Sequence, residues 1–379
     1  SSPFSSRPPG RLIHARDLGP GMTSLIRLNT PPAPFPTAEG TETVRARCSD
    51  GSSRPTPIIL DVDTGVDDAC ALLLAALHPD VDLLAVTCVS GNASVDDVVR
   101  NTLKVLDVAG RPDVPVARGA ARPLLEPAGD ARHVHGEDGM ADLGWPASKR
   151  HSDGRNAVEL LRDLLSQAAS GEPADRITLV PLAPLTNIAL LLRTYPEVAG
   201  GLGEIVFMGG AAQVGNATAS AEFNVWHDPE AAAIVLESAA ELDIPVVMYG
   251  LDVFYDVRVS REQAAELIAV GSRGPAELAG RLIAYQCERF GQHDATIGDA
   301  GAVCAAIDRP GLTMLRLPVR VELAGTYSRG RTIVDRRDWP GDLAHDSHGM
   351  ASTSVDVALA VDAGRYAELW LQTMKASAH

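Results

Sequence analysis

One short stretch of the chain, ILDVDTGVDDACALLL from Ile59 to Leu74, carries four aspartates within eight positions. Carboxylates this close repel one another, so some would be protonated unless a cation lies among them. Carboxylate, carbonyl and water oxygens suit a hard cation such as Ca²⁺ or Mg²⁺, and the cluster has no Cys or His that would favour zinc. The stretch therefore predicts a site for a hard divalent cation, built from Asp61, Asp63, Asp67 and Asp68.

Two other interpretations of this stretch have to be weighed. A carboxylate at the start of a helix caps free N–H groups, which explains Asp67 or Asp68 but not all four aspartates. An apolar strand followed by D-x-D also begins phosphohydrolases of the haloacid-dehalogenase type, where the first Asp is a nucleophile. Those enzymes normally have Thr or Val at the fifth position, where this chain has Gly65. They also need a basic residue for phosphate and a late acidic pair, and neither is evident.

The elements around the cluster alternate between apolar strands and amphipathic helices. Strands are predicted at PIILDV, VDLLAVTCVS, VPVARG, RITLVPLA, LGEIVFMGG and IPVVMYGLDV. This alternation predicts an α/β fold with an open, mostly parallel sheet flanked by helices on both faces, of the Rossmann-like kind. A hairpin in PVRVELAGTYSRGRTIVDRR and a last helix near GRYAELWLQTMK should follow. We expect one domain over residues 55–379 and a disordered N-terminal extension over residues 1–54, which are rich in Ser, Pro and Gly.

Polar clusters follow four of the predicted strands. They are DVDTGVDD, SGN, PLAPLTN and MGGAAQVGNATASAEFNVWHDPE. Open parallel sheets bind ligands beyond the carboxyl ends of their strands, so these four loops are expected to converge on one pocket.

Composition narrows the class of partner. The net charge is −16, which argues against a nucleic-acid backbone or an anionic membrane surface as the main partner. The five cysteines are odd in number and widely spaced, which predicts buried free thiols rather than disulfides. With no apolar stretch of membrane-spanning length and no secretory signal pattern, we expect a cytoplasmic protein.

The order of the motifs resembles one enzyme family. DVDTGVDDA, SGN, LVPLAPLTNIA, VFMGG, GNATASAEFNVWHDPEAA and GDAGAV occur in this order, and ELAGTYSRGRTIVD follows near the end. From about Pro57 to the C-terminal helix the chain resembles the inosine–uridine-preferring nucleoside hydrolases. The resemblance implies hydrolysis of ribonucleosides to ribose and free base, and a homodimer or homotetramer.

The resemblance also implies roles for individual residues. A calcium ion would be bound by Asp63, Asp68, the backbone carbonyl of Leu182 and Asp299, with Asp61 as support behind them. The substrate would be bound by Asp67, Asn92, Met208, Asn216, Glu222 and Asn224. Taken singly, several of these have duller explanations: Asn216 and Asn224 suit turns, Glu222 suits the surface and Asp299 suits a helix N-cap.

Chemical logic agrees with these implied roles. Cleavage of an N-glycosidic bond builds positive, oxocarbenium-like charge on the sugar, which an anionic pocket stabilises. A calcium-bound water is more acidic than bulk water, and Asp63 beside it is the expected general base.

The chain departs from the family pattern at one position. A His that directly precedes the late metal aspartate is the family's proposed acid for the leaving base, and here Gly298 stands there. His293 and His135 are the replacement candidates, and His135 lies in HVHGEDGM, which resembles the family's HG-x-x-G loop. Aromatic residues near Tyr285 and Phe290 could stack on the base instead. A weakly active nucleoside-binding relative therefore stays open as an alternative.

Overall fold

The computed structural model describes residues 54–337 and 353–377. Eleven strands occur in these ranges: β1 (Thr56–Val62), β2 (Val81–Cys88), β3 (Val116–Arg118), β4 (Ile177–Pro181), β5 (Leu202–Met208), β6 (Val246–Tyr249), β7 (Arg258–Ser260), β8 (Asp294–Thr296), β9 (Leu312–Val321), β10 (Thr332–Val334) and β11 (Ser354–Val361).

The α-helices in the same ranges are α1 (Val66–Leu77), α2 (Val95–Val108), α3 (Arg132–His135), α4 (Ala157–Ala169), α5 (Thr186–Thr194), α6 (Phe223–His227), α7 (Pro229–Glu241), α8 (Leu251–Phe254), α9 (Arg261–Ala269), α10 (Pro275–Arg289), α11 (Ala300–Ile307) and α12 (Ala363–Ala376). None of them is long and apolar enough to span a membrane.

Nine of the strands form one sheet in the order β10-β9-β11-β6-β5-β4-β1-β2-β3. The neighbours from β11 to β3 run parallel, whereas β9 pairs antiparallel with both β11 and β10. The predicted open, mostly parallel sheet and the C-terminal hairpin β9–β10 are thus confirmed. The strand β11 was not predicted, and β7 with β8 forms a separate small antiparallel sheet.

The central strands are apolar because helices cover both faces of the sheet. Alternate residues of β1 enter different cores: Ile58 and Leu60 pack into one cluster and Ile59 into the other. All three side chains are fully buried. The near-continuous apolar runs of the sequence follow from this two-sided burial.

The same parallel arrangement gathers the polar loops at one edge of the sheet. Asp63 follows β1, Asn92 follows β2, Leu182 follows β4 and Met208 ends β5. Because β1 lies between β2 and β4, and β5 pairs with β4, these positions are neighbours at the carboxyl edge.

Two further expectations concern the ends and the thiols. Residues 1–53 lie outside the described residues, so the N-terminal extension and the domain over 55–379 stay predictions. Of the cysteines, Cys48 also lies outside them, and the other four are free and buried, as the sequence predicted: Cys70, Cys88, Cys287 and Cys304.

Candidate active site

A cavity of about 480 Å³ opens at the carboxyl edge of the sheet. Its wall brings together ten of the thirteen residues that were expected to be catalytic, metal-binding, substrate-binding or supporting: Asp63, Asp67, Asn92, His135, Leu182, Met208, Asn216, Glu222, Asn224 and Asp299. Of the other three, Asp61 and Asp68 lie fully buried next to this wall, whereas His293 lies on the surface. The four predicted loops therefore do converge.

Asp63 is held in place by Asn92. The backbone N–H of Asn92 donates to Asp63 Oδ2 at 2.7 Å, and its side-chain Nδ2 donates to Oδ1 at 3.1 Å. Burial, and then the charge of the neighbouring Asp68, raise the pKa of Asp63 well above its ordinary value. The carboxyl group is thus fixed in orientation and, in the absence of a cation, inclined to hold a proton.

Asp68 lies at the start of α1, behind the cavity wall. It accepts from the backbone N–H of Gly65 at 2.9 Å and of Asp63 at 3.2 Å, and Asn92 Nδ2 donates to it at 3.3 Å. Its capping role, one of the simple explanations above, is therefore real. Burial and the charge of Asp67 nevertheless raise its pKa to about 7.

Three carboxylates are close enough to share one metal ion: one oxygen each from Asp67, Asp68 and Asp299 lies within 4.8 Å of the others. Asp67 Oδ1 is buried without a hydrogen-bond partner among the described residues, and Asp299 precedes α11 without capping it through its side chain. An all-oxygen donor set with an unsatisfied buried oxygen fits a hard cation. This trio includes Asp67, which the family resemblance assigned to the sugar. Asp63 lies next to the trio, because its backbone N–H donates to Asp68.

Asp61 supports the cluster from behind. Its Oδ1 accepts from the Thr87 hydroxyl at 2.5 Å and from Asn187 Nδ2 at 2.8 Å. Burial raises its pKa to about 7. Since it is fully buried and absent from the cavity wall, it can act only through its neighbours.

A second part of the cavity wall is built around Glu222, which is buried rather than at the surface. Its carboxylate accepts three backbone N–H groups, from Gly210 at 2.9 Å, Asn224 at 2.8 Å and Val225 at 3.1 Å. It thereby ties the turn after β5 to the start of α6. Burial raises its pKa to about 7.

The two asparagines of this wall have distinct partners. Asn224 Nδ2 donates to the backbone carbonyls of Leu182 at 2.9 Å and of Met208 at 3.2 Å. Asn216 Oδ1 accepts from the Phe223 N–H at 2.9 Å, and its Nδ2 donates to the hydroxyl of Tyr255 at 3.3 Å. The Leu182 carbonyl, expected to bind metal, thus lies beside the polar wall.

His135 is a neutral imidazole of defined tautomer. The Val66 N–H, at the start of α1, donates to His135 Nδ1 at 3.1 Å, so Nδ1 carries no proton and Nε2–H is the donor. Burial lowers the pKa of His135 below its ordinary value. The ring therefore offers a hydrogen bond to a ligand rather than a positive charge.

Gly298 is closed to any side chain. Its φ is +56°, and an added Cβ would lie 2.5 Å from Asp67 Cβ and 3.1 Å from Phe254 Cζ. The structure does not bring His293, one of the two replacement candidates, to the cavity. That side chain is 74% exposed and pairs with Glu262, because the chain enters β8 directly after it and leads away before reaching Gly298.

Sequence reasoning missed part of the wall. Gln286 on α10 is 9% exposed, and its Nε2 has no hydrogen-bond partner among the described residues. Four aromatic side chains join Phe290 around the cavity: Phe223, Trp226, Phe254 and Tyr255. Gln286 lies on α10, where no strand-end signal marks it, whereas Phe223 and Trp226 fall in a predicted strand-end loop in which only the polar residues were assigned roles. Tyr285, named with Phe290, instead donates its hydroxyl to the Val134 carbonyl.

Comparison with known proteins places this site in a family. The family model for the inosine-uridine preferring nucleoside hydrolases matches residues 58–368. The inosine-uridine preferring nucleoside hydrolase of Leishmania major is 40% identical over 287 residues, which cover 75% of this chain and 88% of that protein. The pyrimidine-specific ribonucleoside hydrolase RihA of Escherichia coli O8 (strain IAI1) is 39% identical over 283 residues, which cover 74% and 88%.

Solved structures agree with the sequence relatives. The purine-preferring ribonucleoside hydrolase from Gardnerella vaginalis superposes with a TM-score of 0.75 at 28% identity and covers 85% of this chain and 99% of that one. The haloacid-dehalogenase alternative is therefore wrong, and the described residues that line the cavity include no Lys or Arg to meet a phosphate. The chain belongs to the inosine-uridine preferring nucleoside hydrolase family and is a hydrolase of ribonucleosides.

Proposed function

We propose that this chain cleaves the N-glycosidic bond of ribonucleosides with water, through an oxocarbenium-like transition state, with Asp63 as general base and Ca²⁺ as cofactor. The observation that carries the proposal is the oriented pair of Asp63 and Asn92 beside a carboxylate cluster in the cavity. The relatives named above act on purine or pyrimidine nucleosides, so the family name alone implies no base preference.

The metal is proposed to lie among Asp63, Asp68, Asp299 and the Leu182 carbonyl, with Asp67 within reach. Oxygen donors and the unsatisfied Oδ1 of Asp67 support a hard cation, and Ca²⁺ accepts such mixed carboxylate and carbonyl sets. When bound, the ion would acidify a water ligand and anchor vicinal hydroxyl groups of the sugar.

Asp63 removes the proton from the attacking water. Two hydrogen bonds from Asn92 orient the carboxylate of Asp63. A general base must first be oriented toward the proton that it removes, and its pKa matters only after that. Burial raises the pKa of Asp63, and a nearby cation would lower it again. The cation would thus bring the pKa of this carboxyl group toward the working pH.

Ribose is held by the polar groups of the two walls. Asp67 and Asn92 face it from the metal side, and Asn216, Glu222 and Asn224 face it from the other side, with Met208 between them. The carboxylates on the metal side, Asp63 and Asp67, stabilise the positive charge that develops on the sugar. Sugars that lack hydroxyl groups would leave the buried members of this set, such as Asn92 and Asn224, without their sugar partners and be rejected.

The base leaves toward the aromatic part of the cavity. No side chain is available at Gly298, so His135 Nε2–H and Gln286 Nε2 are the proposed donors to the departing base. Aromatic rings such as Phe290 and Tyr255 would stack on it.

The assembly and the location also stay proposals. We propose a homodimer or homotetramer, as the family resemblance implies, with no nucleic-acid or membrane partner. Four free buried thiols support a reducing compartment such as the cytoplasm.

The assay is release of reducing sugar from inosine and uridine by the full chain with Ca²⁺. Asp63→Asn should lower kcat by about 10²–10⁴-fold, the range that general-base catalysis contributes. Asp228→Asn is the control, because Asp228 is equally buried but caps α7 away from the cavity wall. Equal losses in both variants would overturn the role of Asp63. A wild-type chain that binds nucleosides without releasing ribose would instead favour the weakly active binding relative.

A further inference from the structure

The hairpin formed by β9 and β10 makes contact with the cavity loop that follows β5. In the sheet order β10 is the edge strand and lies four places from β5. Thr332, the first residue of β10, nevertheless meets Ala211, three residues beyond the end of β5. Sheet pairing does not explain this contact, so the hairpin folds over the carboxyl edge where the cavity lies.

The Thr332 hydroxyl uses both of its hydrogen-bonding capacities on one residue. Its Oγ1 accepts from the Ala211 N–H at 2.8 Å and donates to the Ala211 carbonyl at 2.7 Å. Thr332 is 3% exposed and Ala211 5% exposed. Neither backbone group has water at hand, so loss of the hydroxyl would leave both unsatisfied in the interior.

The neighbouring glycine is shaped for this approach. Gly210 has a φ of +70°, and an added Cβ would lie 2.8 Å from Thr332 Cγ2. The N–H of Gly210 donates to Glu222 Oε2 at 2.9 Å. One unbroken chain of contacts therefore leads from the Thr332 hydroxyl through the 210–211 turn to the carboxylate at the centre of the sugar wall.

A second contact links the tip of the hairpin to the same loop. Ser220 lies two residues before Glu222, and its hydroxyl donates to the backbone carbonyl of Tyr327 at 2.7 Å. Arg329 pairs with Glu126 and Glu230, which fastens the tip from the other side. The loop that carries Asn216 and Glu222 is thus held at both of its ends.

We propose that Thr332 is a positioning residue for substrate binding: through the 210–211 turn it sets the place of Glu222 and hence of the ribose-binding wall. The proposal rests on the proposed function, since it assumes that this wall binds the sugar. Thr332 itself is absent from the cavity wall and touches no substrate. A wall that grips the sugar equally before and during the reaction governs KM more than kcat.

The test compares three variants for KM and kcat with inosine and uridine. Thr332→Val keeps the shape and removes the hydroxyl, and it should raise KM about tenfold with kcat changed less than about threefold. Thr332→Ser retains the hydroxyl and should restore KM to within about twofold of the wild type. Thr353→Val is the matched control: its buried hydroxyl donates to the carbonyl of Val319 in β9, the partner strand of β10, and it is absent from the cavity wall.

Three outcomes overturn the proposal: equal KM values for Thr332→Val and Thr353→Val, no rescue by Thr332→Ser, or a loss confined to kcat. If Thr332→Val does not fold, Thr332→Cys decides, because the thiol stands in the place of the hydroxyl and is a weaker donor and acceptor. That variant should raise KM about threefold, and an unchanged KM would overturn the proposal. A wild-type chain that releases no ribose at all would contradict the proposed function instead, which keeps the two failures apart.

Discussion

Gly298 and Asp67 lie so close together that a methyl group on residue 298 would clash with Asp67: a Cβ there would lie 2.5 Å from the Cβ of Asp67. The glycine also has a φ of +56°, which side-chain-bearing residues rarely adopt. The space that a side chain at residue 298 would need is therefore taken here by Asp67. Asp67 keeps its place in the carboxylate cluster because residue 298 has no side chain.

The first prediction concerns this contact. Gly298→Ala should push Asp67 out of the cluster and weaken Ca²⁺ binding at least tenfold, as measured by calorimetry without substrate. Gly291→Ala is the matched control, because Gly291 has a φ of +62° and an added Cβ there meets nothing within 4 Å. Both variants should lose about 1–2 kcal/mol of stability from the backbone conformation alone. Equal calcium affinities in the two variants would refute the steric argument.

The second prediction concerns the leaving group. With no acid at residue 298, bonds to bases that need protonation should break slowly. p-Nitrophenyl β-ribofuranoside, whose leaving group needs no proton, should be turned over about 10²-fold faster than inosine, the lower range of a general acid's contribution. His135→Asn should slow inosine and spare the nitrophenyl riboside. Comparable wild-type rates for both substrates would mean that an efficient acid exists elsewhere.

The third prediction follows from the raised carboxyl pKa values. Burial raises the pKa of Asp61 and of Glu222 to about 7, from ordinary values of 3.8 and 4.5. The folded chain then holds protons that the unfolded chain has lost, so without metal the stability that these two groups contribute is full below about pH 4 and is lost as the pH rises through 7. Ca²⁺ needs the deprotonated cluster, so its stabilising effect should grow over the same range.

The measurement is the melting temperature at pH 5.5 and pH 8, with Ca²⁺ and with a chelator. The shift caused by Ca²⁺ should be larger at pH 8. A shift of equal size at both pH values would contradict a raised pKa for the metal-binding carboxyl groups, among them Asp68, whose pKa burial raises to about 7.

The fourth prediction concerns Gln286, whose buried Nε2 lacks a partner among the described residues. Gln286→Leu should raise KM for nucleosides by about tenfold, since a donor to the base is lost, while the affinity for free ribose stays unchanged. Gln372→Leu, on the exposed face of α12, is the control. If the variant loses affinity for free ribose as much as for nucleosides, Gln286 supports the sugar-binding wall and does not bind the base.

The fold could be predicted from the sequence where burial of a strand or helix requires apolar residues. β1, with Ile58, Ile59 and Leu60 fully buried on both faces, leaves an unbroken apolar run that only a covered parallel strand explains. The strand β11 was not foreseen, because its pairing with β6 and β9 joins segments far apart in the chain.

The site could be predicted where strand ends supply it. Asp63 and Asn92 follow neighbouring parallel strands, and their hydrogen bonds follow from that topology. Gln286 and Trp226 reach the same cavity from helices, and their register toward it depends on packing across the chain. His293 was a wrong candidate because the strand β8 separates it from Asp299 and leaves its side chain on the surface.

The most direct test of the central claim is the fate of water oxygen. The full chain with Ca²⁺ is incubated with inosine or uridine in H₂¹⁸O, and the products are examined by mass spectrometry at early times, before free ribose exchanges its anomeric oxygen. The account predicts labelled ribose and unlabelled base, with the rate abolished by a chelator and reduced in Asp63→Asn. Ribose formed without label, or release of base only when phosphate is added, would contradict it.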